Sequence, residues 1–587
     1  MTDNRVWKLP ETAPDPAELA AAWTRVVENG LKAMQARPAA GFAFDPTAPA
    51  RAMFEFQTQL WSNPAAILEA SQAAASEWVE LWSAAARRAA GQEAAPVIQP
   101  ERGDRRFGDP AWSEDPLFDY LKQAYLLASR QAADLVANAE GIDEATRTRA
   151  EFFTTAYLNA LSPANFAFTN PEAIRRAIDT GSISLLSGLA NLLADAATDA
   201  RLPQRRASAQ FELGKDIAAT PGSVVFQNEL MQLIQYAPMT ETVHRRPLLY
   251  VPPLVNKYYL LDLQPKSSLI RWLVEQGHTL FVISWVNPGP ELADKGLEDY
   301  LALGPVAALD AIAQATGETS VDLFGFCMGG TLAAMAASKN NDLKNRDCPS
   351  LKNRDCPSFS SLTTIGSMFD FSSMGQWATF TEPAQLAAME KHLEAKGVLA
   401  AHELQALFSV VRANDLIWSS VVSHYLLDRE APPSDILHWF ADGAHIPAAF
   451  LRDWTNKILR ENALTRPGAL DLDAPAMVIS LKDDHVSAWQ ATYDGARLLG
   501  GETRFLLGGS GHNAGVINPP AANKHGYWTN EDMPARAEEW LETATRHEGS
   551  WWPEWQAWLV RDGAERVKAR KPKKEIEPAP GSYVRMR

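Results

Sequence analysis

Residues 319–338 read TSVDLFGFCMGGTLAAMAAS, a short apolar strand followed at once by a helix of small residues, with Cys327 at the corner. Gly325 and Gly329 complete the pattern GxCxG, which is the sulfur form of the GxSxG nucleophile elbow. The two glycines let the strand and the helix pack closely around a strained turn. The stretch therefore predicts a cysteine nucleophile held over the end of a sheet.

Strand and helix patterns alternate upstream of this elbow. Because each strand is followed by a helix before the next strand, the order predicts right-handed βαβ units and a mostly parallel sheet. Ligands of such sheets bind at the carboxyl ends of the strands. The segments are PLLYVPPLV (247–255, strand and loop), SSLIRWLVEQG (267–277, helix), HTLFVISWV (278–286, strand) and LEDYLALGPVAALDAIAQATG (297–317, helix).

The N-terminal part of the chain carries a different pattern. Apolar residues recur at helical spacing, and residues 1–200 are predicted to form an all-helical domain that ends near Arg201, before an α/β domain of residues 201–587. Two interpretations of these amphipathic helices remain open, packing within their own domain or docking on a partner or an apolar surface. Helical spacing is clearest at Ile67, Ala70, Ala74, Trp78 and Leu81.

Downstream of the elbow, the octapeptide LKNRDCPS occurs twice in succession, at 343–350 and 351–358, and predicts an enlarged surface loop. A mostly helical, Trp-rich stretch at about 372–464 lies between sheet strands and is predicted to cover the active-site edge as a cap. The sheet resumes in APAMVISLKDDH (474–485) and TRFLLGGSGH (503–512). The charged tail VKARKPKKEIEPAP (567–580) is predicted to be mobile.

Composition excludes several classes of function. A formal net charge of −16 argues against nucleic acid as the main partner, since phosphate binding requires a basic face. No apolar run approaches the roughly 20 residues of a membrane span, and the start MTDNRVWKLPET lacks the regions of a signal peptide. The sequence predicts a cytoplasmic protein without a transmembrane segment. No CxxC or HExxH spacing indicates a metal site, so neither metal nor cofactor is expected.

Two loops that follow later strand patterns supply partners for Cys327. Asp484 lies in LKDDH and His512 in GGSGHNAG, and the order nucleophile, acid, histidine is that of the α/β-hydrolase fold. An imidazole can accept the thiol proton, while a carboxylate fixes the ring tautomer and stabilises its positive charge. Two adjacent residues, Asp483 and Asp484, are candidates for the acid. Asp484 is favoured because it lies directly before His485.

Acyl transfer also requires backbone amides that bind the oxyanion. The N–H of Met328, directly after the nucleophile, is the expected first donor. The second is expected from the loop Pro252–Asn256, and we assign it to Val255. Because a thiolate exchanges readily with a thioester, a cysteine elbow suits acyl groups that arrive on coenzyme A. Thiol-based hydrolysis on the same fold remains an alternative.

The chain resembles the class I polyhydroxyalkanoate synthases from about Glu101 to Arg587. The resemblance implies an α/β-hydrolase fold with a helical cap, polymerisation of (R)-3-hydroxyacyl-CoA into polyester with release of CoA, an active homodimer, and residence on cytoplasmic polymer granules with granule-associated proteins. It also implies that Cys327 carries the chain, that His512 activates the thiol, and that Asp484 assists His512 or the incoming hydroxyl. The resemblance rests on GFCMGGTL, VPPLVNKYYLLDLQPKSSLIRWLVEQGH, FELGKDIAATPGSVVFQNEL, LIQYAPMTETV, GGSGHNAGVINPP and GSWWPEW.

The sequence departs from this family at Val286, where arginine is usual, at Asn513, where isoleucine or a similar residue is common, and in the octapeptide duplication. None of these removes a catalytic residue, although each weakens an inference about acyl chain length. Competing interpretations are a thioesterase or polyester depolymerase that uses the same thiol, and a non-catalytic granule-coat protein.

Overall fold

The chain divides into two compact units, each assembled from separate segments. The first unit comprises Met1–Ala207, Gly375–His392 and His402–Pro433, and the second comprises Ser208–Met374, Leu393–Ala401 and Ser434–Arg587. The predicted insertion at 372–464 therefore contributes to both units. The computed structural model describes residues 15–36, 44–62, 64–198, 203, 211–345, 356–430, 433–561 and 565–587.

Two sequence-based predictions fall on residues outside these ranges. The proposed domain boundary near Arg201 lies outside the described residues, as do positions 346–355 of the tandem octapeptide.

The first unit is helical, as predicted for the N-terminal region. Its helices begin where the sequence places capping residues: the side chains of Asp15, Asp115, Asp143 and Asn170 accept hydrogen bonds from first-turn amides. Proline follows three of these caps, at a position where the missing N–H costs nothing. The α-helices before residue 200 are Pro16–Gln35, Ala48–Leu60, Pro64–Ala89, Ala111–Glu114, Pro116–Asn138, Glu144–Ala160, Pro171–Asp179 and Ile183–Ala196.

The second unit is built on strands. They are β1 (Gly222–Gln227), β2 (Met231–Tyr236), β3 (Thr242–His244), β4 (Leu248–Val251), β5 (Leu280–Trp285), β6 (Ser320–Phe326), β7 (Ser358–Ile365), β8 (Val398–Leu399), β9 (Ile446–Pro447), β10 (Ala476–Leu481), β11 (Thr503–Gly508), β12 (Tyr527–Thr529), β13 (Thr545–His547), β14 (Arg566–Lys568) and β15 (Glu577–Pro578).

Within the described residues, eleven of these strands form one sheet in the order β13-β12-β11-β10-β7-β6-β4-β5-β2-β1-β15. The pairs from β5 to β11 are parallel, and the flanking pairs are antiparallel. The chain passes from β4 to β5 on one side and then returns to β6 on the other side of β4. The sheet thus has a switch point between β4 and β6, where ligands of such sheets bind.

The helices of the second unit cover this sheet and bury its faces. Trp551, Trp552 and Trp555 are completely buried, and the Trp555 ring meets Phe324 of β6 at 5.1 Å between centroids. Burial of each such aromatic side chain contributes on the order of 2–3 kcal/mol. The α-helices are Leu269–Glu275, Leu297–Leu301, Ala307–Thr316, Met328–Ser338, Asn340–Asn345, Asp435–Ala441, Ala448–Asp453, Trp489–Ala496, Ala537–Thr543 and Trp552–Leu559; two more, Pro383–Lys396 and Ala401–Val411, contribute residues to both units.

The charged tail, predicted to be mobile, is instead paired with strands of the second unit. Strand β14 pairs with β3, and β15 pairs with β1 at the edge of the large sheet. Tyr583 then donates its hydroxyl to the carbonyl of Asn228 at 2.7 Å. The prediction was wrong because β14 and β15 pair through their backbones with segments more than 300 residues away in sequence. A polar composition does not reveal such pairings.

None of the described helices is by itself long and apolar enough to cross a bilayer, and the helices Pro171–Asp179 and Ile183–Ala196 pass that test only as a pair bent by 111°.

Candidate active site

Cys327 occupies the turn between β6 and the helix Met328–Ser338, as the GxCxG pattern predicts. Its backbone has φ 54° and ψ −132°, a strained conformation for a non-glycine residue, and its N–H donates to the carbonyl of Ile365 at 2.8 Å. A Cβ on Gly325 would lie 2.4 Å from the carbonyl oxygen of Gly329, and a Cβ on Gly329 would lie 2.3 Å from that of Val251. The close strand-helix contact that holds the turn therefore requires both glycines.

Asp484 and His512 meet beside this turn. The Nδ1 atom of His512 lies 2.6 Å from Oδ2 of Asp484, and both residues are buried. The second oxygen, Oδ1, accepts hydrogen bonds from the amides of Val486 at 2.8 Å and Ser487 at 2.9 Å. These bonds fix the carboxylate, which in turn fixes the orientation of the imidazole ring.

The structure distinguishes the two candidate acids, Asp483 and Asp484. The side chain of Asp484 is fully buried against His512, whereas neighbouring Asp483 is exposed. The Asp483 amide donates to the carbonyl of Ser510 at 3.0 Å, which ties the acid loop to the histidine loop through the backbone. The geometry therefore places Asp484, rather than Asp483, beside His512.

Cys327 lies close enough to His512 to influence its pKa, so the fold brings the three candidate side chains together at the elbow. Burial opposes the charged imidazolium, but the charge of Asp484, then that of Cys327, outweighs burial and raises the pKa of His512 to about 10. The arrangement favours an imidazolium beside the sulfur at neutral pH. A thiolate is the nucleophilic form of cysteine, and a neighbouring cation stabilises it.

The two expected oxyanion donors follow β6 and β4, the two strands that flank the switch point. Met328 is the first residue of the eleven-residue helix after Cys327, where the helix dipole favours negative charge. Val255 lies in the loop after β4. In the described part of the chain, neither amide donates a hydrogen bond to another protein atom.

Two further residues shape the site without having been identified from the sequence. Gly366 has φ +55°, and a Cβ there would lie 3.2 Å from Cε1 of His512 and 3.4 Å from Oδ2 of Asp484. The ring of Phe326 packs on the His512 ring at 4.8 Å between centroids. The available signal for Gly366 was a glycine directly after the strand pattern SLTTI, although only the fold places that glycine against the imidazole.

Within the described residues, no cluster of three or more His, Cys, Asp or Glu side chains could hold a metal ion.

The fold and the site together define an α/β-hydrolase-fold protein with cysteine at the nucleophile elbow, and residues 256–519 match the family model described as alpha/beta hydrolase fold. Residues 103–273 match a second model, described as Poly-beta-hydroxybutyrate polymerase (PhaC) N-terminus. The chain belongs to the poly(3-hydroxyalkanoate) polymerase family, since it is 40% identical over 542 residues to the poly(3-hydroxyalkanoate) polymerase of Methylorubrum extorquens, with 89% of this chain and 88% of the relative covered. The resemblance inferred from sequence is confirmed.

Other relatives also span most of the chain. The poly(3-hydroxyalkanoate) polymerase subunit PhaC of Rhizobium meliloti (strain 1021) is 37% identical over 98% of this chain and 96% of its own length. The subunit of the same name from Cupriavidus necator is 38% identical, with 82% of this chain and 83% of the relative covered. Among solved structures, the thioesterase domain from the curacin biosynthetic pathway matches 51% of this chain and 96% of its own, at 11% identity and a TM-score of 0.30.

Proposed function

We propose that this polymerase takes (R)-3-hydroxyacyl groups, short-chain ones such as 3-hydroxybutyryl, from coenzyme A thioesters and joins them into a polyester through a thioester on Cys327. The observation that carries the proposal is the buried contact of 2.6 Å between His512 and Asp484 at the cysteine elbow. The names of the relatives, poly(3-hydroxyalkanoate) polymerase, support the polyester product.

The first step transfers the acyl group to the enzyme. The Cys327 sulfur attacks the thioester carbonyl carbon, and the amides of Met328 and Val255 bind the resulting oxyanion. Collapse of this intermediate breaks the bond between carbon and the CoA sulfur. The departing CoA thiolate takes the proton held by His512, so the step ends with an acyl-enzyme, free CoA thiol and a neutral imidazole.

The second step uses that neutral imidazole as a base. His512 removes the proton from the 3-hydroxyl of another acyl unit, and the hydroxyl oxygen attacks the carbonyl carbon on Cys327. The carbon–sulfur bond breaks, an ester forms, and the Cys327 thiolate is regenerated beside the imidazolium. Asp484 holds the ring throughout, because its carboxylate contacts Nδ1 and leaves Nε2 for the reacting groups. No resident cofactor or metal enters this scheme, and coenzyme A is part of the substrate.

Incubation with (R)-3-hydroxybutyryl-CoA tests the proposal against thiol hydrolysis. Insoluble polymer together with free CoA is expected, whereas soluble 3-hydroxybutyrate without polymer would favour a thioesterase or depolymerase. The matched variant Cys327→Ala is expected to release no CoA. Continued release by that variant would overturn the assignment of the nucleophile, and absence of release by the wild type would favour a granule-coat protein.

We further propose that the polymer surface binds the first unit through an apolar stripe, defined as Trp23, Val27, Leu31 and Met34. These side chains are all more than half exposed and recur at helical spacing on Pro16–Gln35. The opposite face of the helix is already occupied: Asn29 Nδ2 donates to the Ala190 carbonyl of the neighbouring helix at 2.9 Å.

Co-sedimentation with polyester particles tests this surface. The double variant Trp23→Ser/Met34→Ser should lose about ten-fold in binding, on the basis of ~25 cal/mol for each Å² of apolar surface that binding buries. Ile576→Ser, which changes an exposed apolar residue of the second unit, should bind as the wild type does. Equal binding by all three proteins would refute the stripe. The proposed location is thus the cytoplasmic granule surface, where granule-associated proteins could share the same stripe.

A homodimer is proposed as the active form on the strength of the family resemblance alone. Light scattering across a dilution series, combined with CoA release, tests it. Specific activity should fall as the dimer dissociates, and constant specific activity in the monomer would contradict the proposal.

A further inference from the structure

The loop that carries Val255, residues 252–256, is held by side chains from other parts of the second unit. On its amino side, the indole Nε1 of Trp285 donates to the carbonyl of Pro252 at 2.9 Å. On its carboxyl side, the indole Nε1 of Trp439 donates to the carbonyl of Lys257 at 2.7 Å. The second contact comes from the helix Asp435–Ala441 within the predicted insertion.

Asp442, the residue that ends this helix, makes two further contacts to the same side of the loop. Its Oδ1 accepts from Nζ of Lys257 at 2.7 Å, and its Oδ2 accepts from the hydroxyl of Tyr259 at 2.8 Å. Lys257 also donates to the carbonyl of Met586 at 3.0 Å. Burial lowers the pKa of Lys257, an effect that Asp442 opposes, and both burial and Asp442 raise the pKa of Tyr259.

The backbone after Asp442 also contacts the loop 252–256 directly. The amide of Ala444 donates to the carbonyl of Val255 at 3.2 Å, and Gly443 forms an antiparallel bridge with Asn256. Because the peptide units of Val255 and Asn256 are bonded to residues 443–444, a movement of Asp442 is passed on to the loop.

We propose that Asp442 is a positioning residue that sets the direction of the Val255 amide through Lys257, Tyr259 and the bridge at 443–444. The proposal rests on the proposed cysteine mechanism, in which that amide binds the oxyanion. It assigns a role in the reaction to a residue of the insertion that touches neither the substrate nor the triad.

The role predicts a selective defect. An oxyanion forms when Cys327 attacks a thioester, but none forms when the same sulfur is alkylated by iodoacetamide. Loss of one oxyanion donor lowers rates by about 10²–10³-fold in other enzymes, so displacement of one donor should cost about ten-fold or more. Both kcat and kcat/KM should fall, because the lost interaction belongs to the transition state.

The variant Asp442→Asn makes the smallest change in shape. If its amide nitrogen faces the Lys257 ammonium, donor meets donor; if it faces Tyr259, the hydroxyl must accept instead of donate. In either orientation the charge-assisted bond from Lys257 is lost or weakened. We measure initial CoA release from (R)-3-hydroxybutyryl-CoA, and the rate of Cys327 alkylation by mass spectrometry, on the full-length protein. Asp435→Asn, on the same helix, is the matched control, and it should stay within about two-fold of wild type in both assays.

Ten-fold slower CoA release with alkylation within two-fold of wild type supports the positioning role. Unchanged CoA release overturns it, and so does a parallel loss of both rates, which would mean that Asp442 supports the site as a whole. If Asp442→Asn fails to fold, Tyr259→Phe takes its place, because it removes one contact of Asp442 without unpairing a charge. The rates of CoA release and of Cys327 alkylation are then compared in the same way. Failure of the cysteine mechanism is distinguished by Cys327→Ala, which would then still release CoA.

Discussion

Replacement of Asp484 by asparagine tests the central contact of the site. The substitution preserves the shape of the side chain and can preserve the hydrogen bonds from the amides of Val486 and Ser487. It removes the negative charge that lies 2.6 Å from Nδ1 of His512. If the amide nitrogen of the new residue faces Nδ1, the imidazole must carry its proton on the other nitrogen, which is the wrong tautomer for a base.

The magnitude follows from the pKa of His512. Burial alone would lower this pKa, but Asp484 is the largest of the causes that raise it from 6.5 to about 10. At roughly 1.4 kcal/mol per pKa unit, that gap corresponds to about 5 kcal/mol in favour of the imidazolium. Coulomb attraction between two unit charges about 3 Å apart at an effective dielectric constant near 20 gives about 5.5 kcal/mol, which is of the same order. The pKa of His512 in Asp484→Asn should therefore fall well below its value in the wild type.

The rate of CoA release should fall by a smaller factor than the loss of this electrostatic energy alone would produce. Loss of the acid from a Ser-His-Asp triad costs about 10⁴-fold in kcat, but a thiol is intrinsically more acidic than a hydroxyl and depends less on its base. We therefore expect initial CoA release to fall about 10²–10³-fold. The pKa itself can be followed by NMR of ¹³C-labelled histidine.

The control is the adjacent variant Asp483→Asn, which changes an exposed carboxylate in the same loop and should stay within about two-fold of wild type. CoA release by Asp484→Asn within about three-fold of wild type, or a larger loss in Asp483→Asn, would refute the assignment of the acid. A His512 pKa in Asp484→Asn that stays at the wild-type value would refute the electrostatic reasoning even if the rate fell.

Three further perturbations test other parts of the structure. Gly366→Ala should destabilise the fold by about 1–2 kcal/mol in urea unfolding because of its positive φ, and it should slow CoA release because the new methyl group contacts His512. The control Gly375→Ala, with φ +53° and no described atom within 4 Å of the new Cβ, should show only the backbone cost in unfolding. Because the pKa of His512 is raised, its contribution to stability should be fully present below pH 6.5 and lost as pH rises through about 10. The difference in unfolding free energy between wild type and Asp484→Asn should therefore shrink over that range. A difference that stays constant with pH would contradict this prediction. Trp555→Phe removes a buried hydrogen bond of 2.9 Å to Thr363 Oγ1 and should cost about 1–3 kcal/mol in urea unfolding while CoA release at 25 °C is retained; an unchanged unfolding free energy would show that the bond contributes nothing.

The elbow and the sheet were predictable because both depend on local patterns. Alternating strand and helix segments predicted the parallel strands β4 to β7, and the two glycines beside Cys327 predicted the close contact at the turn. The choice between Asp483 and Asp484 could not be fixed in this way. Adjacent loop residues direct their side chains differently, and only the backbone bonds of the loop determine which carboxylate reaches His512.

Contacts between distant segments account for what the sequence did not predict. Gly366 is an ordinary glycine after a strand until β7 is placed beside β10 and β11 beyond it, when its missing side chain makes room for His512. Asp442 lies 185 residues from Lys257 in sequence, and no local pattern joins them. The charged tail pairs with strands through its backbone, so its side chains give no periodic signal.

The charge balance of the site provides a physical reason for the order of the two chemical steps. The charge on Cys327 is one of the causes that raise the pKa of His512, second after Asp484 among those that do so. In the proposed cycle, acylation converts that sulfur into a neutral thioester, so the pKa of His512 must fall while CoA leaves with the proton. The imidazole then becomes a base only when an acyl group is in place to be attacked. In this cycle, a hydroxyl that enters before acylation meets an imidazolium, which cannot deprotonate it.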